Sequence, residues 1–352
     1  MIRYIVRFNS GKTTILLQFA AVNNITCRVP LRISFAGGGT DVEPFVSEHG
    51  STVVATTINL FVESKLRPNT GQGVRIHSID TKKQFYIKEG QHDSTLLDSI
   101  LTACLTKIPL QERTGFTLEV YSPVPARSGL GASSAIILSV LGALYSHFNI
   151  SFNTLTIAID AYEIERNLLK IPGGCQDQHV CAIGGIKRFE FSNYKNILVN
   201  DLILSENFAK HFEDCTLLVW TGISRNSDLV IVDIERQNIQ ALKKQKDLVE
   251  DVIDFISKEN FVSLGRTLNR AWELKRSVTD LISNPKIDYI YELGLRNGAL
   301  GGKLLGAGGG GFFLFIAEPE QIQNLKSVFQ SEELLVYPFK ISKSGIEVTN
   351  NE

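Results

Sequence analysis

The chain has 352 residues, 43% of them hydrophobic and 21% charged, which suits about two globular domains and excludes a disordered or fibrous protein. With 36 Lys and Arg against 37 Asp and Glu, the net charge of −1 gives no bulk field for nucleic acid or an anionic membrane, and no apolar run reaches the roughly 20 residues that cross a bilayer. Five cysteines without a C-x-x-C pair, and histidines without H-E-x-x-H spacing, argue against a disulfide framework and a zinc site and point to the reducing cytoplasm.

Residues 1–40 carry Arg3, Arg7, Lys12, Arg28 and Arg32 and no acidic residue. Thr13 to Val22 is apolar but short and broken by Gln18, a poor secretion signal even with Phe19-Ala20-Ala21 behind it. Ser10-Gly11-Lys12-Thr13-Thr14 looks like the end of a P-loop. Val6, however, stands where that motif needs its first glycine, and no helical pattern follows. Residues 1–25 therefore read as an extension ahead of a first domain at 26–205 and a second at 206–345.

Ile25 to Phe35, Thr52 to Leu66 and Val74 to Ile87 are rich in β-branched residues and read as strands. Leu96 to Thr106 reads as a helix and Phe116 to Tyr121 as a strand. Ile136, Val140, Leu144 and Phe148 recur every four residues, predicting an amphipathic helix that starts near Ala132. A further helix is predicted over Asn153 to Leu169, then strands at Ile186 to Phe191, Ile197 to Leu204 and Thr216 to Thr221. From Ile231 to Ile256 the apolar residues follow a 3.6 period, with Lys243, Lys244, Lys246 and Asp247 on the solvated face. Helices at Phe261 to Leu281, Ile287 to Asn297 and Gln321 to Phe329 alternate irregularly with strands at Lys303 to Leu305, Gly311 to Ile316 and Leu334 to Phe339. Strands and helices do not strictly alternate, so the fold class is α+β.

Glycine clusters carry the chemistry. In Pro125-Ala126-Arg127-Ser128-Gly129-Leu130-Gly131-Ala132-Ser133-Ser134-Ala135, the glycines permit turns that aim successive N–H groups at one anion. The helix that follows adds its positive dipole end. Ser133 and Ser134 can cap that helix, bind a phosphate oxygen or ligate Mg²⁺; alone, such a string could also be an ordinary capped turn. Two more glycine strings stand at Pro30-Leu31-Arg32-Ile33-Ser34-Phe35-Ala36-Gly37-Gly38-Gly39-Thr40-Asp41 and at Lys303-Leu304-Leu305-Gly306-Ala307-Gly308-Gly309-Gly310-Gly311. Glu163 and Glu165, two apart, cannot share a helix face, so one of them points inward.

In order, these three strings resemble the three motifs of the GHMP kinases, the family of galactokinase, homoserine kinase, mevalonate kinase and phosphomevalonate kinase. The G-G-G-T-D form, Ile282 to Asp288 and Gly298 to Lys303 resemble its sugar-kinase branch, which holds the heptose 7-phosphate kinases and fucokinases. The resemblance covers about residues 26–345. It implies a two-domain fold, ribosomal protein S5-like then ferredoxin-like, that transfers phosphate from Mg²⁺-bound ATP to the anomeric hydroxyl of a phosphorylated heptose. A fucokinase-like or other sugar 1-kinase, or a non-catalytic nucleotide or sugar sensor, are the alternatives.

By the same resemblance Pro125, Ser128, Gly129, Leu130, Gly131, Ala132, Ser133 and Ser134 bind nucleotide, and Ser134 with Glu165 holds Mg²⁺. Asp177 is the catalytic base with Arg32 beside it. Thr40, Asp41, Gly174, Gly308 and Gly309 contact substrate. An acceptor that already carries phosphate needs a further cation, for which Arg28, Arg127, Arg225 and Lys303 are candidates by neighbourhood, each of which could equally face solvent. The implied partner is a small phosphorylated sugar rather than nucleic acid or membrane; oligomeric state is not legible.

Overall fold

The computed structural model describes residues 2–9, 12–19, 24–69, 73–80, 82–87, 96–109, 115–224 and 239–351. Among the described residues, strands β1 (Ile2–Asn9) and β2 (Lys12–Phe19) pair only with each other, as an antiparallel hairpin. Lys12 and Thr13 thus lie in a strand, where a P-loop would need a helix start.

The first body is built on β3 (Asn24–Ala36) and the 18-residue β4 (Ser51–Pro68), which run antiparallel. A short helix, α1 (Phe45–His49), joins them. The end of β4 pairs with β7 (Phe116–Tyr121) and its start with β8 (Ile186–Phe191). β9 (Ile197–Asp201) adds to β8. The single strand predicted over Val74 to Ile87 is two, β5 (Val74–Ser78) and β6 (Lys83–Ile87), a hairpin whose β5 runs parallel to β7.

Over this sheet lie α2 (Leu96–Leu105), α3 (Ala132–His147), α4 (Thr154–Tyr162) and α5 (Gln176–Ile183). Helix α3 is not the half-exposed helix its spacing predicts. Most of its residues are buried, and its few hydroxyls find partners, as in the Ser64–Ser139 bond of 2.7 Å. Asn153 caps α4 through a capping box, but the helix predicted to continue to Leu169 changes pitch at Tyr162. Glu163–Leu168 form a π turn, the geometry of an extra residue in a helix.

The second sheet has the order β11 (Ala299–Leu304), β12 (Phe312–Ala317), β10 (Thr216–Trp220), β13 (Leu335–Tyr337). A short helix not foreseen from the sequence, α6 (Phe208–Asp214), leads into it. Helices α7 (Ile239–Ser257), α8 (Phe261–Arg276), α9 (Pro285–Arg296) and α10 (Pro319–Ser331) complete the body. Two more unforeseen strands, β14 (Ile341–Ser342) and β15 (Glu347–Asn351), carry the chain back to pair with β4 and β3. The C-terminal segment thus belongs to the first sheet. All five cysteines are buried and unpaired, and among the described residues no helix is long and apolar enough to cross a membrane.

One apolar core runs through both bodies, from β3, β4 and α3 to α7, α8 and β12. Phe212 of α6 sits at that seam, edge-on to Phe35 of β3 at 5.5 Å and near Phe208, Phe261 and Phe339. Phe212→Ala is expected to cost about 3–5 kcal/mol of stability, read as a fall in denaturation midpoint. A change below about 1 kcal/mol would mean the seam is not a packed core.

Candidate active site

A cleft of about 340 Å³ opens between the two sheets, and all three glycine strings line it. At its centre the sequence of β3 places Arg32, only 3% exposed. Its guanidinium donates to Asp177 Oδ1 through Nε at 2.9 Å, with Nη2 2.8 Å from the same oxygen, and through Nη1 to the Gly129 carbonyl at 2.5 Å. The Arg32 amide also donates to the Leu130 carbonyl at 3.0 Å. One residue therefore ties the carboxylate on α5 to the glycine turn ahead of α3.

That turn is shaped by close approach. Gly129 (φ +81°) and Gly131 (φ +75°) lie in the left-handed region. A Cβ on Gly129 would stand 2.5 Å from the Leu305 carbonyl oxygen, and one on Gly131 would stand 3.2 Å from the Arg32 side chain. Gly131 occupies the cap position of α3, and no side chain caps the helix there. The capping role open to Ser133 and Ser134 is not taken: both hydroxyls donate to Glu165, at 2.6 and 2.7 Å. The first amides of α3 are thus open to an anion. Ser128 Oγ is buried there without a partner among the described residues. Leu130, by contrast, points into the apolar core and contributes only backbone, and neither Pro125 nor Ser134 is on the cleft wall.

Of the two glutamates, Glu165 is the inward one. It is 1% exposed and accepts a third bond from Gln178 at 2.6 Å, while Glu163 is turned outward toward Lys107 and Lys195. The π turn sets Glu165 inward behind Ser133. Arg166, 3.4 Å from Glu165, donates to the carbonyls of Ile171, Pro172 and Gly174 and so holds the loop that leads to Asp177.

Asp41 lines the opposite wall. Its Oδ1 accepts from Gln176 Nε2 at 2.8 Å and from the Gly39 amide at 3.3 Å, and its Oδ2 accepts from the Gln176 amide at 3.0 Å. Burial pushes its pKa up, and the amides that bind the carboxylate oppose the shift. Beside it Ser34 Oγ and Gln176 Oε1 are buried without a partner among the described residues, and both residues border the same cleft. Gly174 has no alternative here, because a Cβ would fall 1.8 Å from Asp41 Oδ2.

Three substrate-contact expectations need correction. Thr40 is not on the cleft wall. Its hydroxyl donates to the Gly37 carbonyl and bonds Ser51 Oγ at 2.6 Å, closing the turn from behind. Arg28 lies outside the cleft, paired with Glu63 at 3.5 Å and stacked over Phe61. Gly309 is turned back, its amide donating to the Ile282 carbonyl at 2.8 Å, whereas Gly308 does border the cleft. Arg225 lies outside the described residues.

The sequence reading passed over Lys275, at the end of α8. It lines the cleft with Lys303 of β11. Lys275 donates to the carbonyls of Leu304 and Gly306 at 2.9 and 2.5 Å, and Lys303 to that of Phe35 at 3.2 Å. Burial, reinforced by the neighbouring Arg32, lowers Lys303 to about 8 and Lys275 well below the usual lysine range. A second, open hollow near Lys195, Asn196 and Lys246 contains none of the motif residues.

The sequence matches the GHMP kinases N terminal domain over residues 96–185 and the GHMP kinases C terminal domain over residues 249–333. It is 32% identical to D-glycero-alpha-D-manno-heptose 7-phosphate kinase of Campylobacter jejuni over 345 residues, 93% of this chain and 99% of that protein. This chain is a GHMP kinase. As such it is a small-molecule kinase of a family that uses ATP, with the two-domain α+β fold that the motifs imply. The kinase is also 27% identical to L-fucokinase/L-fucose-1-P guanylyltransferase of Bacteroides fragilis, but it spans 36% of that protein. A solved structure from Campylobacter jejuni superposes with a TM-score of 0.77 at 30% identity, covering 95% of this chain and all of that one.

The contact between Gly174 and Asp41 gives a direct check. Gly174→Ala displaces Asp41 from Gln176 while leaving the phosphate loop alone. If Asp41 meets the acceptor and the turn at Gly129 the nucleotide, steady-state kinetics should show the acceptor KM raised by about tenfold or more with the ATP KM within about twofold, and equal changes in both constants would contradict that division.

Proposed function

We propose that the kinase transfers the γ-phosphoryl group of ATP to the anomeric hydroxyl of D-glycero-D-manno-heptose 7-phosphate, yielding the 1,7-bisphosphate. The observation that carries this reading is Arg32, which binds Asp177 and the phosphate-loop carbonyl at once and so sets a carboxylate beside the end of a triphosphate. The near full-length relative supports the choice of acceptor. Residues 26–205, joined by the C-terminal strands, form the nucleotide-binding domain, and 206–340 the domain that closes over the acceptor.

The geometry supports a division of labour. The amides of Gly129 to Ser134 and the open start of α3 cradle the phosphates. Asp177, 21% exposed and aimed into the cleft, orients the acceptor hydroxyl and takes its proton. The hydroxyl oxygen forms a bond to the γ-phosphorus as the bond to the β–γ bridging oxygen breaks, and ADP leaves with that electron pair. Arg32 holds Asp177 in place and screens the moving charge. Asp41 and Gln176, with the unpartnered Ser34 hydroxyl, meet the sugar's hydroxyls. Of the candidate cations within the described residues, Arg127 and Lys303 line the cleft, and Arg127 can face the acceptor's phosphate.

Glu165 and the Ser133 hydroxyl, both on the cleft wall and backed by Ser134, are a hard-oxygen set suited to Mg²⁺, which takes one or two carboxylates and completes its shell with nucleotide phosphates and water. When bound, the ion neutralises phosphate charge.

ADP release measured over free and phosphorylated hexoses and heptoses should favour the heptose 7-phosphate by at least about 100-fold in kcat/KM, and Asp177→Asn should lose about 10³-fold in kcat with nucleotide binding kept. Turnover confined to fucose, or an Asp177→Asn protein as fast as the parent, would overturn the reading.

A further inference from the structure

The chemistry above leaves Lys275 without a role, yet its surroundings are those of a ligand group. Its ammonium stands at the Gly306 carbonyl, and Gly306 packs on the phosphate loop so tightly that a Cβ there would be 2.5 Å from Gly129 Cα. Gly129 is the residue whose carbonyl binds Arg32. Lys275, Arg32 and the phosphate loop therefore meet at one point, the end of the loop where Asp177 sits.

Among the described residues neither Lys275 nor Lys303 has a carboxylate partner, and the charges that act on Lys275 are Lys303 and Arg32, both positive. Backbone carbonyls occupy two of the three donors of Lys275 and one of the three of Lys303. Burial and the lack of a counter-charge make these two neighbouring lysines costly to hold protonated in a cleft, which is why both titrate low. An anion with several oxygens at this point would relieve that cost and take up the free donors.

We propose that Lys275 is a further catalytic residue, whose ammonium, flanked by Lys303, binds an oxygen of the γ-phosphoryl group during its transfer. This rests on the placement of the nucleotide given above. The charge on the equatorial oxygens of a loose phosphoryl transition state is stabilised mainly by fixed cations. Lys275 reaches that point from the second body, so the cation arrives with the glycine loop it holds. It acts on the group in transit more than on bound ADP.

The test uses the full-length protein with Mg²⁺ and ADP, titrated with and without aluminium fluoride, a mimic of the planar phosphoryl group. Lys275→Gln keeps a donor for the two carbonyls and removes the charge. The parent should bind ADP more tightly with fluoroaluminate present. In Lys275→Gln the ADP affinity should stay within about threefold while that tightening falls by about 100-fold, with Lys275→Arg recovering part of it. Lys303→Gln should show the same pattern more weakly, and it serves if Lys275→Gln does not fold. Undiminished tightening, equal loss of ADP and fluoroaluminate affinity, or no tightening in the parent would overturn the proposal. A parent that binds no ADP would overturn the nucleotide site itself, whereas a parent that binds ADP but phosphorylates no heptose would overturn only the acceptor.

Discussion

A buried guanidinium is the constraint on which the site depends. Arg32 spends its donors on a carboxylate 145 positions away and on a carbonyl 97 positions away, so three remote pieces of chain must arrive together before its charge is compensated. Arginine suits this task because its planar fork offers several donors in fixed directions and keeps its charge when buried. With either partner missing, a charge would be left in the interior at a cost of several kcal/mol (about 3–5). The pair therefore fixes how β3, the phosphate loop and α5 stand to each other.

The glycines follow from the same convergence. Three layers cross within van der Waals distance: the Arg32 side chain, the turn at Gly129 and the loop at Gly306. A Cβ on Gly129 or Gly306 would collide with backbone, which cannot move aside as a flexible side chain can. The second body is locked on by the same contacts. The Phe312 amide donates to the Ser128 carbonyl at 3.0 Å, and the Ser224 hydroxyl to the Ala126 carbonyl at 2.8 Å. The cleft is thus a seam between sheets whose rigidity comes from backbone bonds, with the shared apolar core beneath it.

Much of this was legible in the sequence because it is local. The phosphate loop, the strand that carries Arg32 and the start of α3 each show in a few adjacent residues, and one of Glu163 and Glu165 had to turn inward. What escaped depends on distant partners. Thr40 reads as a substrate contact until Ser51 is seen to occupy its hydroxyl. Arg28 lies four residues from Arg32, roughly 13 Å along an extended strand, and meets Glu63 there instead of the cleft. Lys275 stands in no motif, and its meaning appears only when the end of α8 is brought against Gly306. The closing strands were missed because the polar run Glu347–Asn351 lacks the alternation of a strand and is held by pairing with β3. The pitch change after Tyr162 leaves no mark in periodicity, although it decides which glutamate faces the serines.

The central claim, that Asp177 faces the acceptor at the end of a caged triphosphate, is tested most directly by a crystal structure with a non-hydrolysable ATP analogue and D-glycero-D-manno-heptose 7-phosphate. The account predicts the terminal phosphate against the amides of Gly129 to Ser134 and the anomeric oxygen about 3 Å from an Asp177 oxygen. A sugar whose anomeric oxygen lies beyond hydrogen-bond reach of Asp177, with the nucleotide in place, would contradict it.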